Sequence, residues 1–112
     1  AKEYVVARIK KLSQAIGADI SLSGNYPGWA YRKESELRDV MFKTFVDMYG
    51  REPVVQAIHA GVECGMFANA IEDFDAVSIG PDMKDIHTPG ERLFIESTKR
   101  VWEYLIETLS RL

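Results

Sequence analysis

Two short runs, Val54-Val55-Gln56-Ala57-Ile58 and Asp75-Ala76-Val77-Ser78-Ile79, alternate with helix-patterned segments from residue 35 onward. Brief apolar strands separated by helices have few stable solutions. Right-handed crossovers lay such strands side by side in a mainly parallel sheet, with helices covering its faces. The expected order is α-β-α-β-α, and the fold class is α/β.

The punctuation supports this division. Ser35 is a good N-cap for a helix reaching Tyr49, with Leu37, Met41, Phe45 and Met48 along one side, and Gly50 and Pro53 end it. The spacing predicts a turn at His59-Ala60-Gly61, a short helix from Val62 to Ala70, and a stop at Gly80-Pro81. Residues 82–92 read as a polar loop. A closing helix is expected from Ser97 or Thr98 to about Arg111, burying Val101, Trp102, Leu105, Ile106 and Leu109.

The amino-terminal part reads differently. Tyr4, Val5, Ile9, Leu12 and Ile16 form one stripe of a helix over 2–16, and Gly17 suits its left-handed cap. Residues 18–23 alternate at period two, as a half-buried strand does. The turn formers of 24–29 are the expected boundary between two structural units.

Length and charge narrow the function. The chain has 112 residues, 46% of them hydrophobic, which suits one globular domain. Its apolar runs are too short for a membrane span. A net charge of −3 without a Lys/Arg cluster gives no footprint for a nucleic acid. One cysteine makes no internal disulfide, and no charged-then-apolar leader precedes the first helix, so a cytoplasmic setting is expected.

In α/β proteins, ligands meet the carboxyl ends of the strands. Those ends carry both histidines, His59 in the turn after the first run and His87 in the loop after the second. His59, Glu63, Cys64, Asp82, Asp85 and His87 form the candidate metal or acid–base set. The spacing of a complete metal motif is missing: there is no His-Glu-x-x-His and no Cys-x-x-Cys. Each histidine also suits a polar loop residue bonded locally, and Cys64 suits a small buried hydrophobe as well as a nucleophile. Gly61 and Gly65 do not form a phosphate loop. Tyr26, Trp29 and Tyr31 suit packing at the unit boundary or stacking on a ligand.

The blocks Ile58-His59-Ala60-Gly61-Val62-Glu63-Cys64-Gly65, Val77-Ser78-Ile79-Gly80-Pro81 and Ile86-His87-Thr88-Pro89-Gly90-Glu91-Arg92 resemble the aminoacyl-histidine dipeptidases, the Xaa-His dipeptidase or carnosinase type of di-zinc metallopeptidase. Leu22-Ser23-Gly24-Asn25-Tyr26-Pro27-Gly28-Trp29 resembles the place where that family's lid domain rejoins its catalytic domain. The resemblance spans nearly the whole chain and implies the carboxyl-terminal portion of such an enzyme. Residues 1–29 would end an α+β lid domain, and residues 30–112 would finish the zinc-peptidase-like catalytic domain. It implies that His87 is a metal ligand and that His59, Gly61 and Glu63 lie on the substrate side. Asp85 or Glu91 would orient the imidazole. The other zinc ligands and the general base would come from upstream residues, leaving this chain without peptidase activity or a tight zinc site. A short peptide is the implied substrate. Self-association or a homodimer is expected, because an incomplete sheet leaves an unpaired edge. A stand-alone α/β binding or oligomerisation module and a segment of a related di-zinc tripeptidase or amino-acid deacylase are the alternatives.

Overall fold

A computed structural model of the chain describes residues 2–25, 27–58 and 63–112. Four helices form: α1 (Lys2–Ala15), α2 (Glu36–Tyr49), α3 (Cys64–Ala70) and α4 (Ile95–Leu109). α1 ends in a Schellman motif. Gly17 sits at φ +68°, its N–H donates to the Gln14 carbonyl, and the Ala18 N–H donates to the Ser13 carbonyl. α2 is capped at both ends. The Ser35 hydroxyl accepts the Arg38 N–H at 3.0 Å, and Gly50, at φ 65°, donates to the Val46 carbonyl. Glu36 and Asp39 in its first turn suit the positive end of the helix dipole.

The core is the contact between α2 and α4. Phe45, Tyr49 and Tyr104 form an aromatic cluster, with Tyr104 edge-on to Phe45 at a centroid distance of 5.6 Å. Tyr104 is 8% exposed, and its hydroxyl donates to the Met41 carbonyl at 2.8 Å. Thr44 and Thr108 are also buried, where small side chains let the two backbones approach. Outside this seam, Arg111 joins Asp47 and Glu107, closing the far end of the helix pair.

The parallel sheet does not form among the described residues. Residues 18–23, 54–58 and 75–79 carry no strand, and the sheet present is a two-stranded antiparallel one, β1 (Met83–Lys84) with β2 (Arg92–Leu93). Met83 faces Leu93 and Lys84 faces Arg92. The hairpin therefore lies in the stretch expected to be loop alone. A strand satisfies its backbone only by bonding to another strand, and among the described residues no backbone hydrogen bond joins the three apolar segments. Residues 18–23 and 54–58 are exposed, Val54 at 80% and Ile58 at 72%, while Asp75, Ala76 and Val77 are half-buried.

Two helix faces also differ from expectation. Tyr4, Val5, Ile9, Leu12 and Ile16 are all exposed on and beside α1, which buries none of its residues. On α4 the buried positions are Ser97, Tyr104 and Thr108. Trp102, Ile106 and Leu109 face outward, Trp102 at 61% exposure. A helix has only one side toward α2, so its second apolar stripe stays in solvent. Among the described residues, Met41 and Tyr104 are the buried large apolar side chains. The radius of gyration, 19.3 Å, exceeds the roughly 13 Å of a compact chain this long. The accessible surface of 9573 Å² compares with about 6,200 Å² for a globular protein of this mass.

Candidate functional site

The loop joining β1 to β2 carries His87. Asp85 and His87 both adopt left-handed backbone, at φ 55° and 64°. Such non-glycine positions cost about 1–3 kcal/mol each and persist only where neighbours hold them. The braces are local. The Thr88 hydroxyl donates to the Asp85 carbonyl at 2.6 Å, the Gly90 N–H donates to the Thr88 hydroxyl, and the Glu91 N–H donates to the Thr88 carbonyl. Arg92 pairs with the Asp85 carboxylate at 2.7 Å, tying the loop to the start of β2.

These bonds correct one expectation about the acids. The Asp85 carboxylate is engaged by Arg92, and Glu91 accepts the main-chain N–H of His87 at 3.1 Å rather than a ring nitrogen. The carboxylates thus hold the backbone beneath His87. Among the described residues the imidazole itself has no hydrogen-bond or ion-pair partner, and His87 is exposed.

The remaining candidates are not gathered around it. Among the described residues no group of three or more His, Cys, Asp or Glu side chains is placed to hold a metal ion. Asp82 pairs with Arg100 at 3.0 Å, so it and Asp85 are both partly neutralised. His87 fits the chemistry of a zinc ligand as one exposed nitrogen donor. A zinc site needs at least three protein ligands, and no described residues join His87 to supply the rest of that set. Glu63 is exposed at the N-terminal end of α3, and its carboxylate makes no capping bond. Cys64 is half-buried and free. His59 and Gly61 lie outside the described residues, as does Tyr26. A shallow groove of about 570 Å³ lies beside the start of α2, lined by Arg32, Glu34, Ser35, Glu36, Asp39, Val40 and Lys43, away from both His87 and Glu63.

One structural tie was missed by sequence reasoning. Asp75 begins the 75–79 segment, and its carboxylate receives the Ser35 hydroxyl at 2.7 Å and the Leu37 N–H at 3.3 Å. It thereby fastens the segment that leads to the hairpin onto the N-terminus of α2. Its only sequence signal is an acid at the head of an apolar run. No described helix is long and apolar enough to cross a membrane.

Comparison with known proteins agrees with the resemblance noted above. The chain is 36% identical over 111 residues, 99% of its length, to the cytosol non-specific dipeptidase of Escherichia coli (strain K12), and covers 23% of that protein. Its fold superimposes with a TM-score of 0.76 and 32% identity on the crystal structure of aminoacylhistidine dipeptidase from Vibrio alginolyticus, covering 98% of this chain and 22% of that one. No family model matches. The chain spans less than a quarter of the length of these two relatives. Over nearly its whole length, then, this chain is homologous to a segment of the dipeptidases.

Proposed function

We propose that the chain is the carboxyl-terminal portion of a zinc-dependent dipeptidase acting on short peptides of the Xaa-His type, with residues 1–29 ending a lid domain and residues 30–112 finishing the catalytic domain. The observation that carries this reading is homology to two dipeptidases across the whole chain, including the loop that presents His87. Both relatives are named as dipeptidases, one of them cytosolic, and a cytoplasmic setting follows the same reading.

His87 is the metal-side residue in this proposal. Its loop is braced through Asp85, Thr88 and Glu91, which leaves the imidazole to face a ligand. Zinc, when bound, would supply Lewis acidity for amide hydrolysis. Glu63 offers an exposed carboxylate on the substrate side, beside His59 and Gly61 in sequence. The exposed stripe of α4 and the unpaired segments 54–58 and 75–79 favour self-association of the isolated chain.

One nitrogen ligand does not retain zinc, so the 112-residue chain alone is expected to be inactive, while a longer polypeptide from its gene hydrolyses Xaa-His dipeptides. In that polypeptide, His87→Ala lowers zinc-dependent turnover by more than about 100-fold, beyond the usual effect of losing an outer-shell partner. Turnover by the 112-residue chain, or full activity in the His87→Ala enzyme, would overturn the proposal.

A further inference from the structure

We propose that Ser97 is a positioning residue for the loop carrying His87: its hydroxyl bolts the neck of the β1–β2 hairpin to the first turn of α4. The inference rests on His87 being the metal-side ligand proposed above, but its geometry stands independently. Ser97 is 3% exposed. The Asp82 N–H donates to its Oγ at 2.8 Å, and that hydroxyl donates to the Phe94 carbonyl at 2.6 Å. The Phe94 N–H in turn donates to the Asp82 carbonyl at 3.0 Å. These three bonds form a closed ring joining the residue before β1, the residue after β2 and the helix. Arg100, one turn further along α4, pairs with the Asp82 side chain from outside.

The ring matters because the hairpin has little else to hold it. Its ladder is two residue pairs long, and an isolated two-stranded hairpin is marginal in water. The loop above is cross-braced by the Asp85–Arg92, Thr88–Asp85 and Glu91–His87 bonds, so it moves as a unit. Its orientation relative to the helix pair is therefore set at the neck. α4 begins at Ile95, earlier than its sequence indicates. The serine is not the N-cap; Phe94 occupies that position without a side-chain cap bond, and the serine hydroxyl is used against Asp82 and Phe94 instead.

The test is site-resolved amide exchange by NMR on the metal-free 112-residue chain, with Ser97→Ala and Ser97→Thr variants. Loss of the hydroxyl is expected to speed exchange at Asp82, whose N–H loses its acceptor, and at Phe94 by about fivefold, the effect of one net hydrogen bond. Amides in the middle of α4, from Val101 to Leu105, stay unchanged, and Ser97→Thr restores protection by keeping the hydroxyl. Unchanged exchange at Asp82 and Phe94 in Ser97→Ala would overturn the proposal. So would an equal acceleration throughout α4 with loss of helical circular dichroism, which marks a packing role. A zinc-free readout separates the two ideas: the clasp can fail while His87 remains a ligand, and His87→Ala activity in the longer enzyme can fail while the clasp holds.

Discussion

Replacing Asp75 tests whether a single carboxylate fastens the 75–79 segment to the N-terminus of α2. In the folded chain this carboxylate accepts the Ser35 hydroxyl at 2.7 and 2.9 Å and the Leu37 N–H at 3.3 Å. Ser35 is itself the N-cap, accepting the Arg38 N–H. Hydrogen bonds to charged groups contribute about 1.5–3 kcal/mol. Asp75 is half-buried and its second bond is long, so Asp75→Ala is expected to cost about 1.5 kcal/mol, at the low end of that range. Ser35→Ala removes the cap, for about 1 kcal/mol, and the partner of Asp75 as well. The two changes share one bond, so the double variant should lose less than the sum. A coupling of about 1 kcal/mol is expected in a cycle of urea unfolding curves followed by helical circular dichroism. Additivity within about 0.3 kcal/mol would show that the carboxylate and the cap act separately, and would refute the tie.

Tyr104→Phe removes the hydroxyl that reaches the Met41 carbonyl but keeps the ring against Phe45. The expected loss is about 1 kcal/mol in urea unfolding, against about 3–5 kcal/mol for Tyr104→Ala. Burial raises the Tyr104 phenol above its ordinary value of 10.0, so its contribution to stability is complete below that pH and lost as pH climbs through the raised value. An alkaline unfolding limb should accordingly weaken in Tyr104→Phe. The hydrogen bond from Arg111 holds Asp47 below its ordinary value of 3.8. Its stabilisation is therefore present above that pH and lost as pH falls through the lower folded value, and Arg111→Ala should weaken this acid-side dependence in pH-jump unfolding, with Lys43 left to hold the remainder. Trp102→Glu places a charge in the exposed stripe of α4 and should shift sedimentation of the chain toward monomer at micromolar concentration; an unchanged distribution would exclude that stripe from the contact.

The helices were legible because their signals are local. Gly17 and Gly50 take the left-handed conformation that ends α1 and α2, and Ser35 caps α2 within three residues of its partner. The His87 block, too, could be read from sequence as part of a dipeptidase, and homology across the chain agrees. The apolar runs 54–58 and 75–79 show why pattern alone stops short. Alternation marks a segment that prefers to be a strand, but a strand exists only when another strand supplies its hydrogen bonds. The same holds for the buried face of α4: periodicity marked Val101, Trp102, Leu105, Ile106 and Leu109, whereas packing on α2 buries Tyr104 and leaves Trp102, Ile106 and Leu109 exposed.

Residue types, the glycine caps of α1 and α2, the Ser35 cap and the order of the blocks were thus determined by the sequence itself. Tertiary structure alone decided which polar groups meet. Ser35 and Asp75 are 40 positions apart, and Asp82 and Ser97 are 15 apart. Nothing in the local chain brings such groups within hydrogen-bond distance; the packing of α4 on α2 and the closure of the hairpin do, and they set the ground on which His87 stands.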